Sequence, residues 1–446
     1  MTEHTNIPAI KGQNNLIAGA IASSADITRD RYISPDFMQL EADYVWAKVW
    51  NIGAWAAEIP GIGDYVVHQL GKDSILMVRQ TDGGVKAFHN VCTHRGNRLV
   101  YGENGTTEKF ACSYHGWQYE LDGTLSYVQD ADDFPLGNPC GVRNLAEIRC
   151  ELWAGFVWYN MDVGCEPLDD FLGEVKEIFD RYDMDKMVRV GYQIAEIPCN
   201  WKSIHDNFCE SYHLPTTHPE LSEFFDDDYK NTIFELYDTG HNLMRMKGAV
   251  PSKRDDAPDH VNEPLAAELA EWGLDPADFE GRAGEARVEL QAAKRALGPE
   301  RKYDYFPKLL DEQLTDPFHC NLFPGTSITA QATVVGLQRA EPHPTDPNKC
   351  IYENWSMVAV GDGVVRVPNT PGDPRPVVEA ERHEVIYGEA SLGFIPDQDL
   401  RVASGQQLGF QSRGFTGAYL TGQESRVQQF HDRINECIRQ GLAEEN

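Results

Sequence analysis

The spacing of hydrophobic positions changes along this chain, and each change outlines an element. In SPDFMQLEADYVWAKVW, Phe37, Leu40, Tyr44 and Trp50 recur near helical spacing behind Ser34 and Pro35, which predicts a helical lead-in over residues 1–50. From about Asn51 the runs become short, β-branched and aromatic, and are punctuated by glycine. SILMVRQ-TDGG-VKAFHNV predicts a hairpin turning at Asp82-Gly83-Gly84, and WQYE-LDGT-LSYV a second turning at Asp122-Gly123. After Pro167 the texture is mixed. LDDFLGEVKEIFDRY predicts an amphipathic helix and VRVGYQIAEIPCNWK a strand. EPLAAELAEWG and GEARVELQAAKRALG read as charged, alanine-rich helices within an insertion at residues 252–316, placed to cap whatever pocket lies beneath. Strands return at TSITAQATVVGLQRAEPH and CIYENWSMVAV. The chain closes on a helix with Val427, Phe430, Ile434 and Ile438 along one face. The pattern predicts an α+β protein with an all-β module at residues 51–165 and a mixed domain at residues 166–446.

Composition narrows the possible partners. Seventy acidic residues against 39 basic ones leave a net charge of −31, which disfavours nucleic acid and anionic membranes. No run approaches the roughly 18 apolar residues of a spanning helix. NLIAGAIASSA imitates a signal peptide, yet only Lys11 flanks it and no twin arginine precedes it. Ten cysteines without a CxxC do not form a disulfide framework, so a cytoplasmic protein is expected. Gly61 and Gly63 in GIGDYV lack a third glycine and a following helix, and predict a turn with no nucleotide site.

The chemistry is concentrated in two stretches. CTHRGNRL holds Cys92 and His94, and CSYHGW holds Cys112 and His115. Zinc fingers pair cysteine with cysteine and histidine with histidine in ligand order, so the alternation fits zinc poorly. It fits a [2Fe–2S] cluster with two thiolates on one iron and two imidazoles on the other. The boxes resemble those of the Rieske family across the β module. Respiratory Rieske proteins carry an extra cysteine in each box, joined as a disulfide clamp; Asn97 and Tyr114 stand there in this chain. That departure points to the low-potential centres of oxygenases, where fewer hydrogen bonds reach the sulfurs.

The second stretch is CNWKSIHDNFCESYHLPTTHPEL. Asp206, Glu210 and His213 are spaced to share one helical face, and Pro215 should break the helix just past His213 and bring His218 round. Two histidines and a carboxylate with open positions suit Fe(II) and O₂ chemistry. The stretch resembles the catalytic signature of Rieske non-heme iron oxygenase large subunits, whose expected catalytic domain is a helix-grip-like antiparallel sheet. The resemblance implies that His213 and His218 bind mononuclear iron, with Asn207 close to it. Glu210 stands where the family places a carboxylate linking a cluster histidine of one subunit to an iron histidine of the next. Many aromatic-ring dioxygenases have an aspartate there, one residue further on. The shorter ExYH form also occurs in members acting on quaternary ammonium compounds. GFIPDQDLRVASGQQLGF resembles the family's closing segment and puts Asp399 forward as third ligand, with Asp397 as the rival. His205, His241, His260, His319, His343, His383 and His431 match no role.

The resemblance implies the terminal component of an oxygenase that hydroxylates an aromatic or aromatic-acid substrate with O₂. A monooxygenase or demethylase of a quaternary ammonium compound is the alternative, and a non-catalytic electron carrier a remote one. With no flavin or NAD domain recognised in the sequence, electrons from NAD(P)H are expected through a reductase, with or without a ferredoxin. A homotrimer is expected, with a small β subunit left open.

Overall fold

The computed structural model describes residues 10–11, 27–361, 363–365 and 375–445. The segment NLIAGAIASSA lies outside them. The chain packs as two compact units, Leu40–Phe171 and the residues on either side of it. The expected lead-in is shared between the two. Its described part forms a two-residue strand, Ile10–Lys11, which departs from the helical expectation, then helices Asp30–Ile33 and Pro35–Glu41 and a wider π turn, Ala42–Trp46.

The Leu40–Phe171 unit is built on a seven-stranded antiparallel sheet. Its order is Asn51–Trp55, Phe156–Asn160, Glu147–Trp153, Val85–His89, Asp73–Arg79, Asp64–Leu70 and Asn104–Thr106. Both expected hairpins form: Asp73–Arg79 pairs with Val85–His89, and Gln118–Tyr119 with Leu125–Tyr127. The second belongs to a small three-stranded sheet with Phe110–Ala111. Residues Ile75 to Val78 form a continuous apolar run, and all four are buried, as in a strand covered on both faces. Leu76, Val78, Phe88, Phe110, Trp117, Tyr119 and Leu125 share one core cluster with Cys92 and Cys112.

The second unit carries a nine-stranded sheet in which Ile233–Leu236, Asn242–Arg245, Phe318–Leu322, Thr326–Ala330, Val334–Pro342, Cys350–Val358 and Val188–Ile197 follow one another antiparallel. His383–Glu384 joins the far edge in parallel. Helices Trp201–Phe208 and Phe394–Phe410 pack on one another. The closing helix, Ser425–Glu444, buries Val427, Phe430, Ile434 and Ile438 as its pattern predicts. Phe430 meets Trp201 edge-on at 5.6 Å. The single helix expected from LDDFLGEVKEIFDRY is instead two, Leu168–Leu172 and Glu174–Phe179, because Gly173 at φ 51° interrupts the helical backbone. The insertion folds as helices Glu263–Glu271 and Ala283–Leu297. All ten cysteines are free thiols. No described helix is long and apolar enough to cross a membrane.

Candidate metal centres

The two cysteine–histidine boxes fold as two loops of one construction. In each, the cysteine N–H donates to the carbonyl five residues on: Cys92 to Asn97 at 2.8 Å, Cys112 to Trp117 at 2.8 Å. The cysteine carbonyl accepts from the glycine four residues on, Gly96 at 3.0 Å and Gly116 at 3.0 Å. Those glycines have φ of 73° and 69°, a conformation that strains any residue with a Cβ. This is why both boxes end in glycine. The loops bring the His94 and His115 rings to 4.7 Å and bury both thiols. His115 Nδ1 is buried without a hydrogen-bond partner, as a nitrogen meant for a metal would be. Burial, then the neighbouring His115 and Arg95 charges, hold His94 below its ordinary pKa and keep it neutral. Burial raises both thiols; at Cys112 the N–H groups of Tyr114 and His115 and the Asn97 amide reverse this, whereas Cys92 stays raised. Two imidazoles opposite two thiols, one of them lowered, fit a [2Fe–2S] cluster.

One side chain reaches each sulfur. Tyr119 Oη lies 3.2 Å from Cys92 Sγ, and burial keeps this phenol protonated. Toward a thiolate it can only donate. Asn97 Nδ2 lies 3.7 Å from Cys112 Sγ.

The downstream stretch folds differently from its helical reading. The helix ends at Phe208, so Asp206, Glu210 and His213 do not share a face. Beyond it, Glu210 Oε2 accepts from the backbone N–H groups of Tyr212 and His213, and a new short helix, Leu214–Thr217, begins. Pro215 sits in its first turn, where a missing N–H costs nothing. It starts a helix rather than breaking one. Asp206 joins a different cluster: it accepts from Tyr32 Oη at 2.6 Å and lies 3.0 Å from His431 Nε2.

His213, His218 and Asp399 converge, their ligand atoms all within 4.8 Å of one another. Asp399 Oδ1 is 2.7 Å from His218 Nε2 and 3.5 Å from His213 Nε2. Each of the three has an outer partner. His213 Nδ1 meets Glu210 Oε1 at 2.6 Å, His218 Nδ1 meets Gln398 Oε1 at 2.6 Å, and Asn207 Nδ2 donates to Asp399 Oδ1 at 2.8 Å. Because both Nδ1 atoms face oxygen acceptors, the neutral tautomers carry their protons there. Two Nε2 lone pairs and a carboxylate oxygen then face each other, an arrangement that repels unless a cation lies between them. Burial lowers the His213 pKa, but the Glu210 hydrogen bond and the Glu210 and Asp399 charges outweigh it and leave it raised. The donor set fits a divalent iron with open positions. Asp397 does not take part. Its carboxylate accepts from Leu392 N at 2.8 Å and Ser391 Oγ at 2.5 Å, tying the residues that lead into its helix.

Two ties set the register of the helices. Asn207 holds Asp399, and the Asn200 N–H donates to Gln407 Oε1 at 2.8 Å. The nine residues Asp399 to Gln407 thus run antiparallel to the eight from Asn200 to Asn207, about two turns each. Asn200 also caps its helix, accepting from Lys202 N at 3.0 Å, and donates to Pro347 O at 2.7 Å. Asn200→Ala is expected to cost about 1–2 kcal/mol, read as a lowered midpoint in denaturant. An unchanged midpoint would remove the cap from this account.

Sequence reasoning missed Gln398 altogether, although it adjoins Asp399. Gln398→Leu is expected to weaken iron binding at the triad by about tenfold, measured by chelator competition. Equal affinity would show that Gln398 does not orient His218. Some of the unmatched histidines have structural work. His319, pulled down to about 3 by burial, lies 2.7 Å from the Phe208 carbonyl, and Asn321 Nδ2 donates to the same oxygen at 3.0 Å. Together they bind the helix end to the sheet.

Met244, His319, Thr329 and Gly336 lie directly across from one another and so share a face with the helix end that His319 holds. Pro317 and Gln331, which adjoin strands Phe318–Leu322 and Thr326–Ala330, line a cavity of about 300 Å³. Helices of the insertion complete it with Glu268, Glu271, Trp272 and Lys294. Glu268 pairs with Lys294 at 2.5 Å and Glu271 with Arg301 at 4.0 Å. The Arg301 guanidinium covers the Trp272 ring at 4.2 Å.

The pattern of the Rieske [2Fe-2S] domain matches residues 49–138, and that of the ring hydroxylating alpha subunit (catalytic domain) matches residues 184–440. The chain belongs to the ring-hydroxylating alpha-subunit family. This alpha subunit is 33% identical over 212 residues to the glycine betaine monooxygenase oxygenase subunit of Pseudomonas aeruginosa, covering 45% of this chain and 48% of that one. It is 33% identical over 225 residues to chlorobenzene dioxygenase subunit alpha of a Cupriavidus species, covering 48% and 50%. The chain thus spans about half the length of the curated relatives it matches. Its fold resembles a quaternary ammonium Rieske monooxygenase at TM-score 0.65 and 17% identity, covering 94% of this chain and 97% of the other. Naphthalene 1,2-dioxygenase with indole bound follows at TM-score 0.64 and 19% identity, covering 93% of each.

Proposed function

We propose that this alpha subunit is the terminal component of an oxygenase that hydroxylates an aromatic or aromatic-acid substrate with O₂. Cys92, His94, Cys112 and His115 hold its cluster, and His213, His218 and Asp399 hold its iron. The observation that carries the reading is the convergence of two imidazoles and one carboxylate with open positions, downstream of the cluster loops in the same chain. When bound, the cluster supplies electrons one at a time and the iron supplies the positions at which O₂ is reduced. The chain's own residues prepare both. Glu210 and Gln398 fix the two imidazole rings and their tautomers, and Asn207 fixes the carboxylate. Leu214, Phe225, Met244 and Met246 pack as one apolar cluster beside His213 and keep water out.

For monooxygenation, one O₂ and two electrons from NAD(P)H yield a hydroxylated product and one water. Electrons reach the cluster through a separate reductase, with or without a ferredoxin. Assembly is a homotrimer, in which Glu210 connects His213 to the cluster histidine of a neighbouring subunit.

An uncharged ring suits the cavity, since Phe224, Phe225, Trp272 and Pro317 line it while Glu268 and Glu271 are already paired. The second reading, oxidation of a quaternary ammonium compound, is favoured by Glu210 standing three residues after Asn207 and by similarity to the glycine betaine monooxygenase subunit. Trp272 is a poor cage for such a cation while Arg301 covers its face. NADH-driven O₂ uptake with a reductase, over a panel of aromatic acids and betaines with product analysis, separates the two. Oxidised rings support the first reading and dealkylated or hydroxylated betaines the second. Uptake with neither class overturns both.

A further inference from the structure

The two cluster loops are matched residue for residue, and the matched positions reach across to each other. The residue five places after each cysteine closes its own loop through its carbonyl: Asn97 in the first, Trp117 in the second. Each then sends its side chain to a ligand of the opposite loop. The Trp117 ring stacks on His94 with centroids 4.5 Å apart and planes within 7°. The Asn97 amide lies against Cys112 Sγ at 3.7 Å and Ser113 Oγ at 3.4 Å. Its orientation is fixed from outside the pair. Nδ2 lies 2.9 Å from the Arg98 carbonyl, which can only accept, and Oδ1 accepts from Tyr101 Oη at 3.3 Å. One N–H therefore serves Arg98, and the second is left for Cys112 and Ser113.

We propose that Asn97 is a positioning residue for the cluster, a noncovalent tie between the loops whose amide donates to the Cys112 sulfur and raises the reduction potential. This rests on the reading of Cys92, His94, Cys112 and His115 as cluster ligands. A donor to a coordinated thiolate stabilises the reduced cluster, which carries one more negative charge, more than the oxidised one. Asn97 thus contributes in one side chain a loop tie and an electrostatic setting. Tyr119 is the corresponding donor to the other sulfur, Cys92.

The test is a dye-mediated redox titration of the purified full-length protein, followed by visible absorption and electron paramagnetic resonance. Asn97→Leu keeps the size and removes the donor; Asn97→Asp keeps the outline and replaces the donor with a charge. Asn97→Leu is expected to lower the equilibrium constant for reduction by about tenfold, or about 59 mV for one electron. Asn97→Asp should lower it at least as far. Tyr119→Phe provides a reference shift from the other sulfur. Wild-type potentials in both Asn97 variants, with spectra intact, would overturn the proposal, even if the variants lost their clusters faster on heating. If neither variant loads a cluster, wild-type protein labelled with ¹⁵N-asparagine serves instead. A ¹⁵N coupling to the reduced cluster is expected, and none would overturn the proposal. Failure of the ligand reading has a different signature: the wild-type protein itself, reconstituted with iron and sulfide, would lack a Rieske spectrum.

Discussion

Asp399→Ala is expected to reduce the iron content from about three per chain to about two, abolish turnover and leave the visible Rieske spectrum unchanged. Asp399 Oδ1 is the atom on which both histidine Nε2 atoms and the Asn207 amide converge, and its removal leaves two imidazoles too few to hold iron. Asp397→Ala is the internal control. Its carboxylate accepts from Leu392 and Ser391 ahead of the helix, so that variant should keep its iron and lose only about 1 kcal/mol of stability. Iron analysis beside the visible spectrum decides between them. Iron retained by the Asp399 variant and lost by the Asp397 variant would exchange their assignments, and loss of the Rieske spectrum in the Asp399 variant would break the separation of the two sites.

Glu210→Ala should retain both the cluster and the mononuclear iron yet lower turnover at least about a hundredfold. The carboxylate already has one partner, with Oε1 at 2.6 Å from His213 Nδ1, while Oε2 holds the turn that carries His213. In the proposed assembly it also passes electrons from a neighbouring subunit's cluster. Stopped-flow reoxidation of the reduced cluster, with substrate and O₂ present, reads that transfer directly. A normal reoxidation rate accompanied by lost iron would reduce Glu210 to a support for His213. Full turnover with both metals intact would remove it from the site.

Much of the chemistry was legible in the chain because it depends on local pattern. CTHRG and CSYHG carry their geometry within six residues, since one cysteine, one closing carbonyl and one left-handed glycine make each loop. The hairpins at Asp82 and Asp122 were equally local, as was the closing helix with its buried face. Periodicity failed in LDDFLGEVKEIFDRY, where a single glycine φ of 51° divides an otherwise unbroken apolar stripe. It failed again at Asp206, Glu210 and His213. Their spacing matched a helical face, but the Glu210 side chain captures the backbone N–H groups beyond the helix end and supports a turn instead.

The sequence by itself determined the two metal-binding chemistries, the order of the two domains and the absence of a clamp disulfide, because each follows from residue identity at short separation. The closing segment puts Asp399 ahead of Asp397, and the tertiary structure supplies the physical reason by gathering Asp399 with His213 and His218. The two carboxylates sit two residues apart on one helix, and the resemblance of their segment favours Asp399 without showing what holds either one. Packing against the Trp201–Phe208 helix, where Asn207 and Asn200 fix a register, turns Asp399 inward and leaves Asp397 to bind the residues before its helix. The same holds for Gln398, His319 and Asn97. Each acts on a partner that only folding brings within reach, and a hydrogen bond across that separation leaves no period in the sequence.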